Sequence, residues 1–113
     1  MQIILDECIP RPLMTKLTGH AVTTVQRQGW SGSVNGALLR LIGAAGFDAF
    51  IKMDKSLPAQ QQLAGLPFGV VLLRARSNKL GALEPLAPQI AQALAALKPG
   101  DIVVVGADPA TTP

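Results

Sequence analysis

The chain is poor in cysteine and in acidic residues, and it has no long hydrophobic run. A single cysteine, Cys8, excludes an intramolecular disulfide and argues against a zinc site. No apolar stretch approaches the roughly 18 residues of a membrane helix. The start, Met1-Gln2-Ile3-Ile4-Leu5-Asp6, has no basic segment and meets an acid too early for a secretory leader, so a cytoplasmic protein is expected. No GxGxxG or Walker pattern occurs, which leaves a nucleotide cofactor without support. The seven acids are so few that each one bears inspection: Asp6, Glu7, Asp48, Asp54, Glu84, Asp101 and Asp108.

What is present is a core. Of 113 residues, 49% are apolar and only 15% charged, with a mean hydropathy of +0.35, which excludes wholesale disorder. The length fits one domain, whose folding buries roughly 65% of the unfolded chain's surface. Residues 1–106 read as that domain and residues 107–113 as a frayed tail. Ten basic residues against seven acidic ones leave a net charge of +3, which permits a polyanionic partner without requiring one.

The hydrophobic pattern alternates between strands and helices. Short apolar or β-branched runs at 2–5, 21–25, 49–53, 69–73 and 102–105 predict five strands. Pro10 and Pro12 open a short helix reaching about Thr18. Ser33 or Asn35 caps a helix to Ala45, with Leu38, Leu39, Leu41 and Ile42 as its apolar stripe, and Gly46 stops it. Ser56 caps a short helix to Gln62. Leu83, Leu86, Ile90, Leu94 and Leu97 have helical spacing, but Pro85 and Pro88 delay the regular helix to about Pro88. The expectation is a three-layer α/β/α domain with a mostly parallel five-stranded sheet.

In such a sheet, function gathers at the carboxyl ends of the strands. Asp6 and Glu7 follow the first strand and Asp54 follows the third. If these strands are neighbours, their ends lie about 4.8 Å apart. Carboxylates so close repel unless a cation neutralises them, and Mg²⁺ or Mn²⁺ is the usual solution, able to activate water for phosphoryl chemistry. The alternative for Asp54 is a helix cap or turn. Asp48, before its strand, reads as a turn residue. Arg74, Arg76, Asn78 and Lys79 follow the fourth strand, where they either hold a nucleic-acid backbone or line a solvated loop. Trp30, between Gly29 and Gly32, either stacks a base or anchors the core. The one histidine, His20, falls at the opposite edge, so no Ser-His-Asp triad can form.

The stretch Ile4-Leu5-Asp6-Glu7-Cys8-Ile9-Pro10 resembles the "LLDENLP" opening of a family of small prokaryotic PIN-like proteins, relatives of the VapC-type toxin ribonucleases. The resemblance continues through Gly19-His20-Ala21-Val22, the Gly29–Gly32 loop, residues 35–57 and Leu72-Leu73-Arg74-Ala75-Arg76-Ser77-Asn78. It implies a doubly wound α/β fold and Mg²⁺- or Mn²⁺-dependent cleavage of RNA, with Asp6 and Asp54 as metal ligands and Glu7 beside them. It also implies a small antitoxin-like protein partner and a homodimer. The chain departs from the family where an acid is usual at the helix start, now Asn35, and two residues later, now Ala37. The "T-x-D-x-D-F" stretch reads Lys52-Met53-Asp54-Lys55-Ser56-Leu57. Asn35 then offers a neutral oxygen in place of a charge.

The expected activity is thus that of a metal-dependent endoribonuclease, with Asp6, Asp54, Glu7 and Asn35 at the site and Arg74, Arg76 and Trp30 on the RNA. The rival is a PIN-like module whose metal site has decayed and which binds RNA or an antitoxin-like partner without cutting. A response-regulator receiver shares the acid pair and the later Asp, but it needs a hydroxyl residue after strand four and a Lys after strand five. Here those places hold Arg74 and Gly106-Ala107.

Overall fold

A computed structural model describes residues 1–33, 35–54 and 65–106, with Asn35 described by its backbone alone. The helix expected from Ser56 and the tail at 107–113 lie outside the described residues. The strands are β1 (Gln2–Leu5), β2 (Ala21–Thr24), β3 (Ala49–Met53), β4 (Gly69–Arg74) and β5 (Ile102–Gly106). All neighbours pair in parallel, in the order β2-β1-β3-β4-β5. The winding therefore reverses between β1 and β3, the point at which doubly wound sheets open a crevice for ligands.

The sheet is covered on both faces, and residue parity decides which side chain meets which layer. Ile3, Leu5, Ala49, Ile51, Met53, Val71, Leu73 and Val105 pack with Leu13, Leu17, Leu83, Ile90 and Leu94 on one face. Ile4, Phe50, Val70 and Leu72 pack with Leu38, Leu39 and Ile42 on the other. The second layer is α1 (Asn35–Ala44). The first combines the 3₁₀ segment η1 (Arg11–Lys16), α2 (Leu80–Leu83), a 3₁₀ turn at Glu84–Leu86 and α3 (Ala87–Ala96). Burial on both faces explains why β1, β3 and β4 read as continuous apolar runs. Among the described residues no helix is long and apolar enough to cross a membrane.

Two expectations change. The segment after Pro10 is a 3₁₀ helix ending at Lys16, not a helix reaching Thr18. Pro12 has no N–H to give, and the chain leaves helical geometry at Leu17 before the left-handed Gly19. Leu41 does not belong to the buried stripe: it is 37% exposed. At 100° per residue it stands about 100° from the centre of the arc spanned by Leu38, Leu39 and Ile42. The break at Pro85 and Pro88 is as expected: a short helical turn and a 3₁₀ turn precede the regular helix, which starts at Ala87.

Gly69 opens β4 where α3 ends. A Cβ there would sit inside the side chain of Leu97. Gly69→Ala is expected to cost about 1–3 kcal/mol in urea denaturation through overpacking. In a Leu97→Ala background the cost should shrink, giving a clear non-additive coupling.

Candidate functional site at the carboxyl edge

The register of the central strands settles where the acids stand. Leu5 pairs with Ile51, and the ladder runs one step past β1 through the Asp6 N–H, which donates to the Ile51 carbonyl at 2.9 Å. The Asp54 N–H likewise donates to the Leu73 carbonyl at 2.9 Å. Asp6 and Asp54 therefore mark the carboxyl ends of neighbouring strands, as the sequence pattern implies, at the reversal of winding.

Their side chains take different partners. Asp54 accepts from Arg74 Nε at 2.5 Å. The carboxylate is 8% exposed and the guanidinium side chain 41%. The pairing follows from register: Met53 faces Leu73, so the next residues along both strands meet. Asp6 Oδ2 accepts from the Cys8 thiol at 3.7 Å, within a turn closed by the Ile9 N–H on the Asp6 carbonyl. The exposed Glu7 faces the glycine loop, where its Oε1 accepts the Gly32 N–H at 2.6 Å. Gln26 Nε2 donates to the Glu7 carbonyl at 3.0 Å, and Asn78 Nδ2 to the Cys8 carbonyl at 2.8 Å. The β1 turn is thus held from the loops after both β2 and β4.

A hard divalent ion needs carboxylate oxygens facing one point. Glu7 is engaged by Gly32 and Asp54 by Arg74. Among the described residues no group of three or more His, Cys, Asp or Glu is placed to hold a metal. Among the described residues, the set as arranged does not fit Mg²⁺ or Mn²⁺ unless Arg74 is displaced. Among the described residues the salt-bridge partner of the Asp54 carboxylate is Arg74.

The remaining candidates are dispersed. Arg76 is exposed on the loop beyond β4. Trp30 packs against the core on the α1 face, its ring edge-to-face with Phe47 at 6.2 Å and 84°. The helix α1 begins at Asn35, whose side chain lies outside the described residues. At the opposite edge, Asp48 precedes β3, and its Oδ2 accepts the Gln2 N–H of the neighbouring strand β1 at 2.8 Å. His20 Nδ1 lies 3.3 Å from the terminal amine of Met1 at that same edge. Sequence reasoning passes over Arg11, Gln26 and Arg27, which line a cleft with Thr24 beside the end of β2. The rule that function collects after strand ends points to Gln26 and Arg27 directly. Arg11 needs the fold, because its turn lies beyond β1.

Fold and site together define a doubly wound α/β domain with a mixed acidic and basic carboxyl edge. Comparison of the chain with family models, with curated proteins and with solved structures found no match.

Asp54→Asn removes the charge from a nearly buried acceptor and leaves Arg74 weakly held. The expected loss is about 1–2 kcal/mol by urea denaturation, discounted for the exposure of the guanidinium. The loss should be smaller in an Arg74→Gln background.

Proposed function

We propose that the chain is a PIN-like protein of the toxin–antitoxin type that binds RNA along its carboxyl edge without cutting it, with a small antitoxin-like protein as its natural partner. The observation that carries this reading is the ion pair between Asp54 and Arg74. Cleavage by the PIN-like route would need the Asp54 carboxylate for a cation, and that carboxylate already holds a guanidinium. RNA as the ligand is supported by the bases at the same edge: Arg74, Arg76 and Lys79 after β4, and Arg11 and Arg27 on the other side of the β1 turn. Phosphate contacts of this kind give affinity and register but no base specificity.

Metal-dependent hydrolysis is the second reading. It is favoured by one observation, the placement of Asp6 and Asp54 at the ends of adjacent parallel strands. It requires Arg74 to leave Asp54 for a phosphate.

The test uses a fluorescently labelled oligoribonucleotide. In EDTA, anisotropy should report binding that weakens steeply with salt, and in Mn²⁺ the oligonucleotide should remain intact over hours. Asp6→Asn should leave binding in place. Cleavage in Mn²⁺ that Asp6→Asn abolishes would establish the hydrolytic reading instead. Absence of binding in EDTA and in Mn²⁺ would remove RNA as the ligand.

A further inference from the structure

The cleft beside the end of β2 encloses about 410 Å³ and is lined by Arg11, Thr24, Gln26 and Arg27. That volume falls within the ~300–1,000 Å³ of ligand pockets. Two arginines line this concavity, and its described lining contains no acid. The salt bridges among the described residues are Lys16–Glu84 and Arg74–Asp54, so neither arginine has a carboxylate partner there. The nearest acid in the chain's course, Glu7, spends its carboxylate on the Gly32 N–H.

Both arginines are carried on constrained backbone. Arg11 lies between Pro10 and Pro12, and Pro10 is held extended at φ −62° and ψ 130°. Arg27 belongs to a turn fixed by Thr24: the Arg27 N–H donates to Thr24 Oγ1 at 3.0 Å, and the Gln28 N–H to the Thr24 carbonyl at 3.1 Å. Thr24 is 4% exposed, an unusual depth for a polar side chain in this protein. Its hydroxyl oxygen takes that N–H, and its own hydrogen is left to donate to an acceptor in the cleft. Gln26 is steadied by its bond to the Glu7 carbonyl.

Two cationic residues lining a cleft whose described lining holds no acid favour an anion, and a guanidinium matches the oxygens of a phosphate group by bidentate bonding. From this we infer that Arg11, Arg27 and the Thr24 hydroxyl form a phosphate subsite. Its ligand supplies phosphoryl oxygens, either from an RNA backbone or from a free phosphate. The RNA source rests on the binding function proposed above; the subsite itself does not. On RNA it would hold the strand where it passes the β1 turn, on the side away from Arg74.

The double variant Arg11→Gln/Arg27→Gln is compared with wild type in two measurements: anisotropy of the labelled oligoribonucleotide in EDTA, and thermal stabilisation by inorganic phosphate. Arg40→Gln on α1 controls for loss of a positive charge away from the cleft, and Arg11→Lys/Arg27→Lys restores charge without the planar fork. The expected result is a loss of at least tenfold in RNA affinity for the Gln pair. The salt slope should flatten by about 0.7 for each phosphate no longer neutralised. Arg40→Gln should bind as wild type does, and the Lys pair should recover only part of the loss. Wild type that binds RNA with no change in the Gln pair overturns the subsite and leaves the RNA function standing. Wild type that ignores RNA but is stabilised by phosphate, with the Gln pair not stabilised, keeps the subsite and assigns it to free phosphate. A Gln pair equal to wild type in both measurements overturns the inference outright, and circular dichroism verifies that each variant folds.

Discussion

The hydrogen-bonded seam between β1 and β3 is the constraint on which the carboxyl edge depends. Both strands are buried on both faces, so a slip of one residue would turn Ile3, Leu5 and Ile51 toward the wrong layer. The seam is secured at its amino end by a reciprocal pair, the Asp48 N–H on the Gln2 carbonyl and the Gln2 N–H on Asp48 Oδ2. Its other end is the Asp6 N–H on Ile51. The position of Asp6 therefore follows from packing two layers away and from no preference of Asp6 itself. Asp54 inherits its place in the same way from the β3–β4 ladder.

The two basic groups at that edge differ in kind. Arg74 is bound to a nearly buried carboxylate, and any polyanion that recruits it must compete with a charge that has little access to water. Removing one partner from such a pair strands the other, which makes the pair harder to break than a surface bridge. Lys16–Glu84, with both side chains nearly half exposed, is of the weaker sort. Arg11 and Arg27 face no such competitor among the described residues. The edge thus combines a committed arginine on the β4 side with uncommitted ones on the β2 side, and the Asp6 turn lies between them.

Much of this architecture is legible in the residues. Short apolar runs bounded by glycine or an acid locate β1, β3 and β4, because strands buried on both faces cannot disguise themselves with polar alternation, and β-branched runs mark the edge strands β2 and β5. Helical stripes are less secure: Leu41 joins an apolar cluster in the sequence, yet turns to solvent. The acids can be placed at strand ends, but their directions cannot, since Glu7 and Asp6 lie beyond the last paired residue, where period-two alternation ceases to apply. Partner choice is hidden for a further reason. That Asp54 meets Arg74 requires the register of β3 on β4, which a sequence separation of 20 does not encode locally. By its residues alone, Arg74 is as suited to a phosphate as to a carboxylate. The proline-broken stretch from Leu80 to Leu97 preserves its spacing of leucines because the 3₁₀ turn at Glu84–Leu86 keeps the chain winding in the same sense.

The loop that follows β2 carries the chain's single indole, leaning on Phe47, and the protein contains no tyrosine. Ultraviolet emission from this molecule consequently originates at one address, a few residues downstream of Arg27. The backbone N–H of Trp30 donates to the Val25 carbonyl at 3.0 Å, coupling that address mechanically to the end of β2. The molecule thus comes with its own optical gauge, in which a shift in colour or brightness reads the posture of this loop and little else.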